Sequence, residues 1–276
     1  MTTVIGLGNA GCSIANLLSE YPQYSCYKFD AGLPKDKRTF PLKEYKKIED
    51  YEEKMPSVRS FLRGTEEDVI FIMAGGGKVS SCALKILEAV KKKKITVVYI
   101  QPEFSLLSKT QLQLEKMAYN VLQQYARSGL FKELIIVSNS SIEQLMGGLS
   151  VKNYYKEINH AIASTLHMLN VYRNNKPLFS TFDKKPEGVR ISTIGAVDPE
   201  SDEEKMFFSL DNVTDIEYHY AYDISEIETN NNLLSDLKTK TNNKKELVKR
   251  VTYGVYETDY KENYIYCVQS TSTIQN

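Results

Sequence analysis

The feature that most constrains this chain is the run Val4-Ile5-Gly6-Leu7-Gly8-Asn9-Ala10-Gly11 near its amino end. Apolar β-branched residues lead into glycines spaced G-x-G-x-x-G. A stretch from Ser13 to Leu18, burying Ile14, Leu17 and Leu18, then predicts a helix. A strand that turns directly into a helix over such a loop opens a parallel α/β unit. The glycines let backbone approach a phosphate group, and the positive end of the following helix stabilises its charge. Gly6, Gly8, Asn9 and Gly11 are therefore candidate phosphate contacts, with ligand-free packing of strand on helix as the alternative. A second strand, Tyr24–Phe29, ends at Asp30, about twenty residues past the glycines, where a dinucleotide fold places its ribose carboxylate. On these residues alone a nicotinamide-binding Rossmann enzyme is one reading.

Further along, Asp68–Met73 is a continuous apolar run of strand length, as a parallel strand covered on both faces requires. It feeds Ala74-Gly75-Gly76-Gly77 and a predicted helix from Ser80 to Lys91, with Ala83, Ile86, Leu87 and Val90 at helical spacing. Two glycine-rich turns on neighbouring parallel strands would aim two helix amino ends at one crevice. Between the two lies a polar stretch with a predicted helix over Ile48–Leu62, bent or restarted at Met55-Pro56. The alternation continues with strand Ile95–Ile100, helix Thr110–Ala126, strand Leu134–Val137 and a long helix near Asn153–Tyr172. This predicts a parallel sheet with helices on both faces. After Pro177 the chain becomes rich in Tyr and Thr, with expected strands at Arg190–Ile194, Ile216–Ile224, Val251–Glu257 and Tyr264–Ser270 and helices at Leu233–Lys240 and Lys244–Lys249. The expected organisation is a nucleotide-binding-like domain over residues 1–152, a central helix over 153–175 and a smaller mixed-sheet domain over 176–276.

Charge removes some partners. The 276 residues carry 35 Lys+Arg against 35 Asp+Glu, so the electrostatic footprint for binding a phosphate backbone is missing, which argues against nucleic acid. No run approaches the roughly 18 apolar residues of a membrane span, and a cytoplasmic protein is expected. Cys12, Cys26, Cys82 and Cys267 form no Cys-x-x-Cys pair, and His160, His167 and His219 have no ligand spacing, so no structural metal is expected. The lysines at Lys91–Lys94 fit a solvated helix end.

The order of these pieces resembles the tubulin/FtsZ superfamily across nearly the whole chain. Val4–Gly11 is similar to the first phosphate loop of FtsZ, Asp68–Gly77 to the strand and opening of its signature glycine loop, and Thr96–Phe104 to the strand and Pro-Phe segment that follow. Leu134–Asn139 resembles the strand ending in an asparagine that contacts guanine. Tyr155 and Asn159 have the aromatic-x-x-x-Asn spacing at the start of the central helix, where the ring stacks on the base and the amide reads it. Ala221–Ile224 and a hairpin of Val251–Glu257 with Tyr264–Ser270 resemble strands of the second domain. The resemblance implies GTP or GDP, with Mg as its counter-ion, held by Gly6, Gly8, Asn9, Gly11, Gly75, Gly76, Gly77, Lys78, Asn139, Tyr155 and Asn159. It also implies head-to-tail self-assembly or pairing with a homologous filament protein. Short divergent members occur in phage and plasmid genomes, a source that the Lys-, Asn- and Tyr-rich composition fits.

The departures fall on the chemistry. The family follows its triple glycine with Thr-Gly-Thr/Ser-Gly, whereas Lys78-Val79-Ser80-Ser81 stands here, with β-branched Val79 where backbone would approach a phosphate. The loop that caps the terminal phosphate has no counterpart between Asp30 and Glu66. Leu106-Leu107-Ser108 replaces the ribose-binding glutamate. The acid-rich loop that completes a neighbour's active site is reduced to Asp183, with Glu187 nearby. These losses predict a degenerate guanine-nucleotide site with weak or absent hydrolysis. The alternatives are an active GTP-hydrolysing filament protein in which Lys78 replaces missing loop amides, and the Rossmann enzyme built on Asp30.

Overall fold

The computed structural model describes all 276 residues, which separate into two compact units, Met1–Ala163 and Ser164–Asn276. The first is built on β1 (Thr2–Leu7), β2 (Tyr24–Ala31), β3 (Thr39–Leu42), β4 (Asp68–Ala74), β5 (Lys94–Gln101) and β6 (Glu133–Ser138). They lie in the order β3-β2-β1-β4-β5-β6, and every neighbouring pair is parallel. All positions of β1 and β6 are buried, which is why both read as unbroken runs with no polar alternation.

Parallel neighbours need crossovers, and right-handed crossovers fix which face each helix covers. The chain winds outward from β1 through α1 (Gly8–Leu18) to β2 and β3, with the short α2 (Glu49–Glu53) on the way back. It then winds the other way from β4 through α3 (Ala83–Ala89) and α4 (Lys109–Ser128) to β6. The reversal at β1 puts α1 on one face and α3 and α4 on the other. Ile14, Ala15 and Leu18 of α1 are fully buried, as are Ile86 of α3 and Ala126 of α4. Helix α4 starts at a reciprocal capping box of Ser108 with Gln111 and stops at Gly129, whose φ of 85° is the left-handed cap conformation. α5 (Asn139–Leu145) and the long α6 (Tyr154–Asn174) follow.

The second unit is a mixed sheet ordered β8 (Ile191–Val197), β12 (Tyr264–Thr271), β10 (Asp215–Asp223), β11 (Arg250–Thr258), β7 (Phe179–Ser180), with β9 (Glu204–Met206) on β8. The helices α7 (Ile224–Thr229) and α8 (Leu233–Lys245) connect β10 to β11. Its core is aromatic: Tyr218, Tyr220 and Tyr253 pack with Leu237, Val251 and Ile265.

Four expectations are corrected here. The helix over Ile48–Leu62 shrinks to Glu49–Glu53, because Pro56 removes an N–H and pushes Met55 out of helical backbone. The helix from Ser80 instead begins as a 3-10 turn at Lys78–Cys82 and becomes α-helical only over Ala83–Ala89. Lys244–Lys249 is not a separate helix, since α8 runs on to Lys245. The hairpin of Val251–Glu257 with Tyr264–Ser270 does not form: β10 lies between, parallel to β11 and antiparallel to β12. The short 259–263 connection imitated a hairpin loop, but β10 is buried along nearly its whole length and takes the central place that burial demands. The strands β3, β7 and β9 and helix α7 gave no sequence signal strong enough to place them.

Candidate functional site

Strand register brings the candidate segments to one edge of the first unit. Leu7 is level with Met73, Ala74 with Ile100, and Gln101 with Ser138. The turns at Gly8, Gly75, Pro102 and Asn139 therefore leave the carboxyl ends of four adjacent parallel strands side by side, where open α/β sheets place their ligands.

At the first turn the three glycines do different work. A Cβ on Gly6 would lie 2.3 Å from the Gly11 carbonyl oxygen, and one on Gly11 would lie 2.4 Å from that of Ile72 in β4. Gly6 and Gly11 are thus required by close packing of α1 on β1 and β4. Gly8 has φ +71° and turns the chain. Asn9, in the first turn of α1, is exposed. No side chain caps α1 and no acid stands in its first turn, so the helix amino end keeps its positive character.

At the second turn the backbone is already engaged. The Gly76 N–H donates to Glu115 Oε2 at 2.6 Å, and Gly75 N–H donates to Ile100 O at 3.0 Å. Gly76 has φ +72°, and Leu107 Cδ2 lies 2.8 Å from where its Cβ would be, so Leu107 covers the turn. Val79 Cγ2 stands 2.9 Å from the corresponding position on Gly8, filling space between the two turns. Gly77 and Lys78 are exposed. Glu115, unforeseen from sequence, is 4% exposed, and burial pushes its carboxyl up to about 7 against the opposing Gly76 hydrogen bond. Glu115, Leu107 and Val79 thus all stand against the glycine turns. One signal could have revealed Glu115: it shares the apolar stripe of α4 with Tyr119, Leu122 and Ala126 at helical spacing.

The opposite end of the edge is polar and uncommitted. Asn139 is the first residue of α5, not its cap; the cap position belongs to Ser138, whose hydroxyl pairs with Ser140 at 2.9 Å. The Asn139 side chain is half-buried and makes no hydrogen bond within the chain. Asn159 is 8% exposed and its amide is equally without a partner. One turn earlier on α6, Tyr155 presents a ring 58% exposed, held edge-on against Tyr154 at 5.1 Å. Tyr154 in turn donates to Glu143 Oε2 at 3.1 Å, tying α6 to α5.

Asp30 is half-buried, and desolvation raises its carboxyl above the usual range; Oδ1 accepts the Ala31 N–H at 2.8 Å. Asp183 lies in the second unit. Its carboxylate accepts from Arg250 Nε at 2.6 Å, and Arg250 also grips Asp215 through Nη1 at 2.6 and 2.8 Å. His160 is exposed, His167 half-buried and His219 buried. No cluster of three or more His, Cys, Asp or Glu side chains could hold a metal ion, and all four cysteines are buried.

The strand order of the first unit is shared with dinucleotide-binding sheets, so the whole chain has to decide. CetZ from Methanosaeta thermophila superposes with a TM-score of 0.75 at 13% identity, covering 99% of this chain and 86% of that one. The chain has the tubulin/FtsZ fold. TubZ of Bacillus thuringiensis serovar israelensis gives 0.75 at 14% identity over 98% and 86% of the two chains. FtsZ of M. jannaschii gives 0.70 at 12% over 98% and 88%. The sequence matches no protein-family model and no curated protein, so a tubulin/FtsZ-like chain this divergent is recognised through its fold.

Proposed function

We propose that this tubulin/FtsZ-like chain self-associates, or pairs with a homologous filament protein, and carries a degenerate guanine-nucleotide site with weak or absent hydrolysis. The observation that supports the reading is the contrast along one sheet edge. Asn159 and, one turn before it on α6, the exposed Tyr155 ring keep an unpartnered amide and an open aromatic face, and the Asn139 amide at the end of β6 is also unpartnered, whereas Leu107, Val79 and Glu115 stand against the glycine turns. A purine satisfies such amides and stacks on such a ring. A triphosphate, by contrast, needs free loop N–H groups at this turn, and those of Gly75 and Gly76 are already engaged by Ile100 and Glu115. Among the structures sharing the fold, TubZ forms GTPγS-form and GDP-form protofilaments and a two-stranded filament, and CetZ1 from Haloferax volcanii is a GDP-bound monomer.

Thermal shift with GTP, GDP, ATP and NAD tests the proposal. GDP and GTP at about 100 times Kd should add roughly 2.7 kcal/mol, with NAD inert; stabilisation by NAD alone, or by nothing, overturns it. Exposed Lys78, which has no acidic partner, favours the active-GTPase alternative. The Rossmann reading leaves the second glycine turn and the base-side amides without a role.

A further inference from the structure

A cavity of about 260 Å³ opens between α3 and α4. Met73 of β4, Leu84 of α3 and Leu114, Met117, Val121 and Leu122 of α4 line its body. That volume exceeds the ~150 Å³ apolar cavity that admits benzene, so a fused pair of rings has room. The hydrogen-bonding groups of the wall are already spent. Ser80 Oγ donates to Ala74 O at 2.6 Å and Ser81 Oγ to Lys78 O at 2.6 Å, while Gln111 gives Nε2 to Gly76 O at 3.4 Å and takes the Ser108 hydroxyl on Oε1 at 2.8 Å. Glu115 borders the cavity with its carboxyl tucked under the glycine turn, where both oxygens and the Tyr99 hydroxyl would lie 2.2 Å from a Cβ on Gly75. The remaining ionisable residue of the wall, Glu52, is exposed to solvent. Water inside such a wall finds few partners and is displaced at little cost, whereas an ion would shed its hydration with nothing to replace it. Met73 and Met117 add polarizable thioethers, which adapt their shape and favour contact with aromatic rings.

We infer that this cavity binds a small uncharged aromatic compound, of the size of a fused bicycle, between α3 and α4 with Met73 and Met117 against its ring. Apolar area removed from water and dispersion contacts hold it, with no hydrogen bond required. The site uses none of Asn139, Tyr155 and Asn159, and it stands whether or not the chain binds a nucleotide.

Equilibrium dialysis of the full chain against indole, indole-3-carboxylate and N-methylquinolinium tests this. The chain has no Trp, so the emission of bound indole is read directly. Indole should be retained, with its emission shifted to the blue, and the two ions should bind about tenfold or more weakly, since each carries its charge where the wall offers no partner. Ala118→Leu, an exposed change on the cavity wall, and Leu114→Asn, a half-buried one, should each weaken indole by about tenfold, the first by filling space and the second by bringing an unpaired amide to the wall. Should Leu114→Asn fail to fold, Ala118→Leu decides. No retention of indole, an ion bound as tightly as indole, or an indole affinity unmoved by both substitutions overturns the proposal.

Discussion

At Asn159 the proposed base contact predicts a loss of binding without a loss of fold. The amide is nearly buried and unpartnered within the chain, so Asn159→Ala should weaken GDP by about 1–3 kcal/mol, read by calorimetry, with the melting point of the free protein preserved. Equal affinity would move the base elsewhere. Glu115 predicts a pH effect of definite sign. Burial lifts its carboxyl from the ordinary 4.5 to about 7 in the folded chain; from pH 4.5 to 7 the folded state therefore holds a proton that the unfolded state has released. Its contribution is fully present below pH 4.5 and is lost as pH rises through 7, on the order of 3 kcal/mol. Urea midpoints at pH 5 and 7.5 should show this loss in the parent and its absence in Glu115→Gln.

The turn after β1 carries the element-scale prediction. Gly6→Ala or Gly11→Ala would drive a methyl into backbone, forcing α1 off the sheet at a cost of about 2–4 kcal/mol. Denaturation of the ligand-free chain should show the full effect. Loss of nucleotide binding in those variants would thus report packing. A variant as stable as the parent would show that α1 can shift. The same reasoning separates roles that the motif had merged: G-x-G-x-x-G specifies a strand meeting a helix closely, whether or not a phosphate sits there.

For the whole molecule, the prediction concerns assembly and turnover. Phosphate release per chain should stay slow and flat across a protein dilution series, even where sedimentation velocity shows association. Asp183→Ala should change release little, because Arg250, which also holds Asp215, already engages that side chain. The stability cost should be at most about 1 kcal/mol, since Asp183 is largely exposed. Release that climbs with concentration and vanishes in Asp183→Ala would establish the active filament GTPase instead.

The sequence by itself determined the alternation of strands and helices in the first unit, since β1, β4 and β6 are buried on both faces and must be written as continuous apolar runs. It also determined both glycine turns and the Tyr155–Asn159 pair, because local backbone geometry and helical spacing are properties of neighbouring residues. The tertiary structure decided what those residues face. That Gly6 and Gly11 serve packing, that Leu107 and Val79 occupy the turns, and that Glu115 reaches back to Gly76 across an adjacent strand depend on contacts between residues distant in sequence. So does the placing of β10 between β11 and β12. Short segments at sheet edges, such as β3, β7 and β9, acquire strand conformation only from the partner they pair with, and no local pattern encodes a partner.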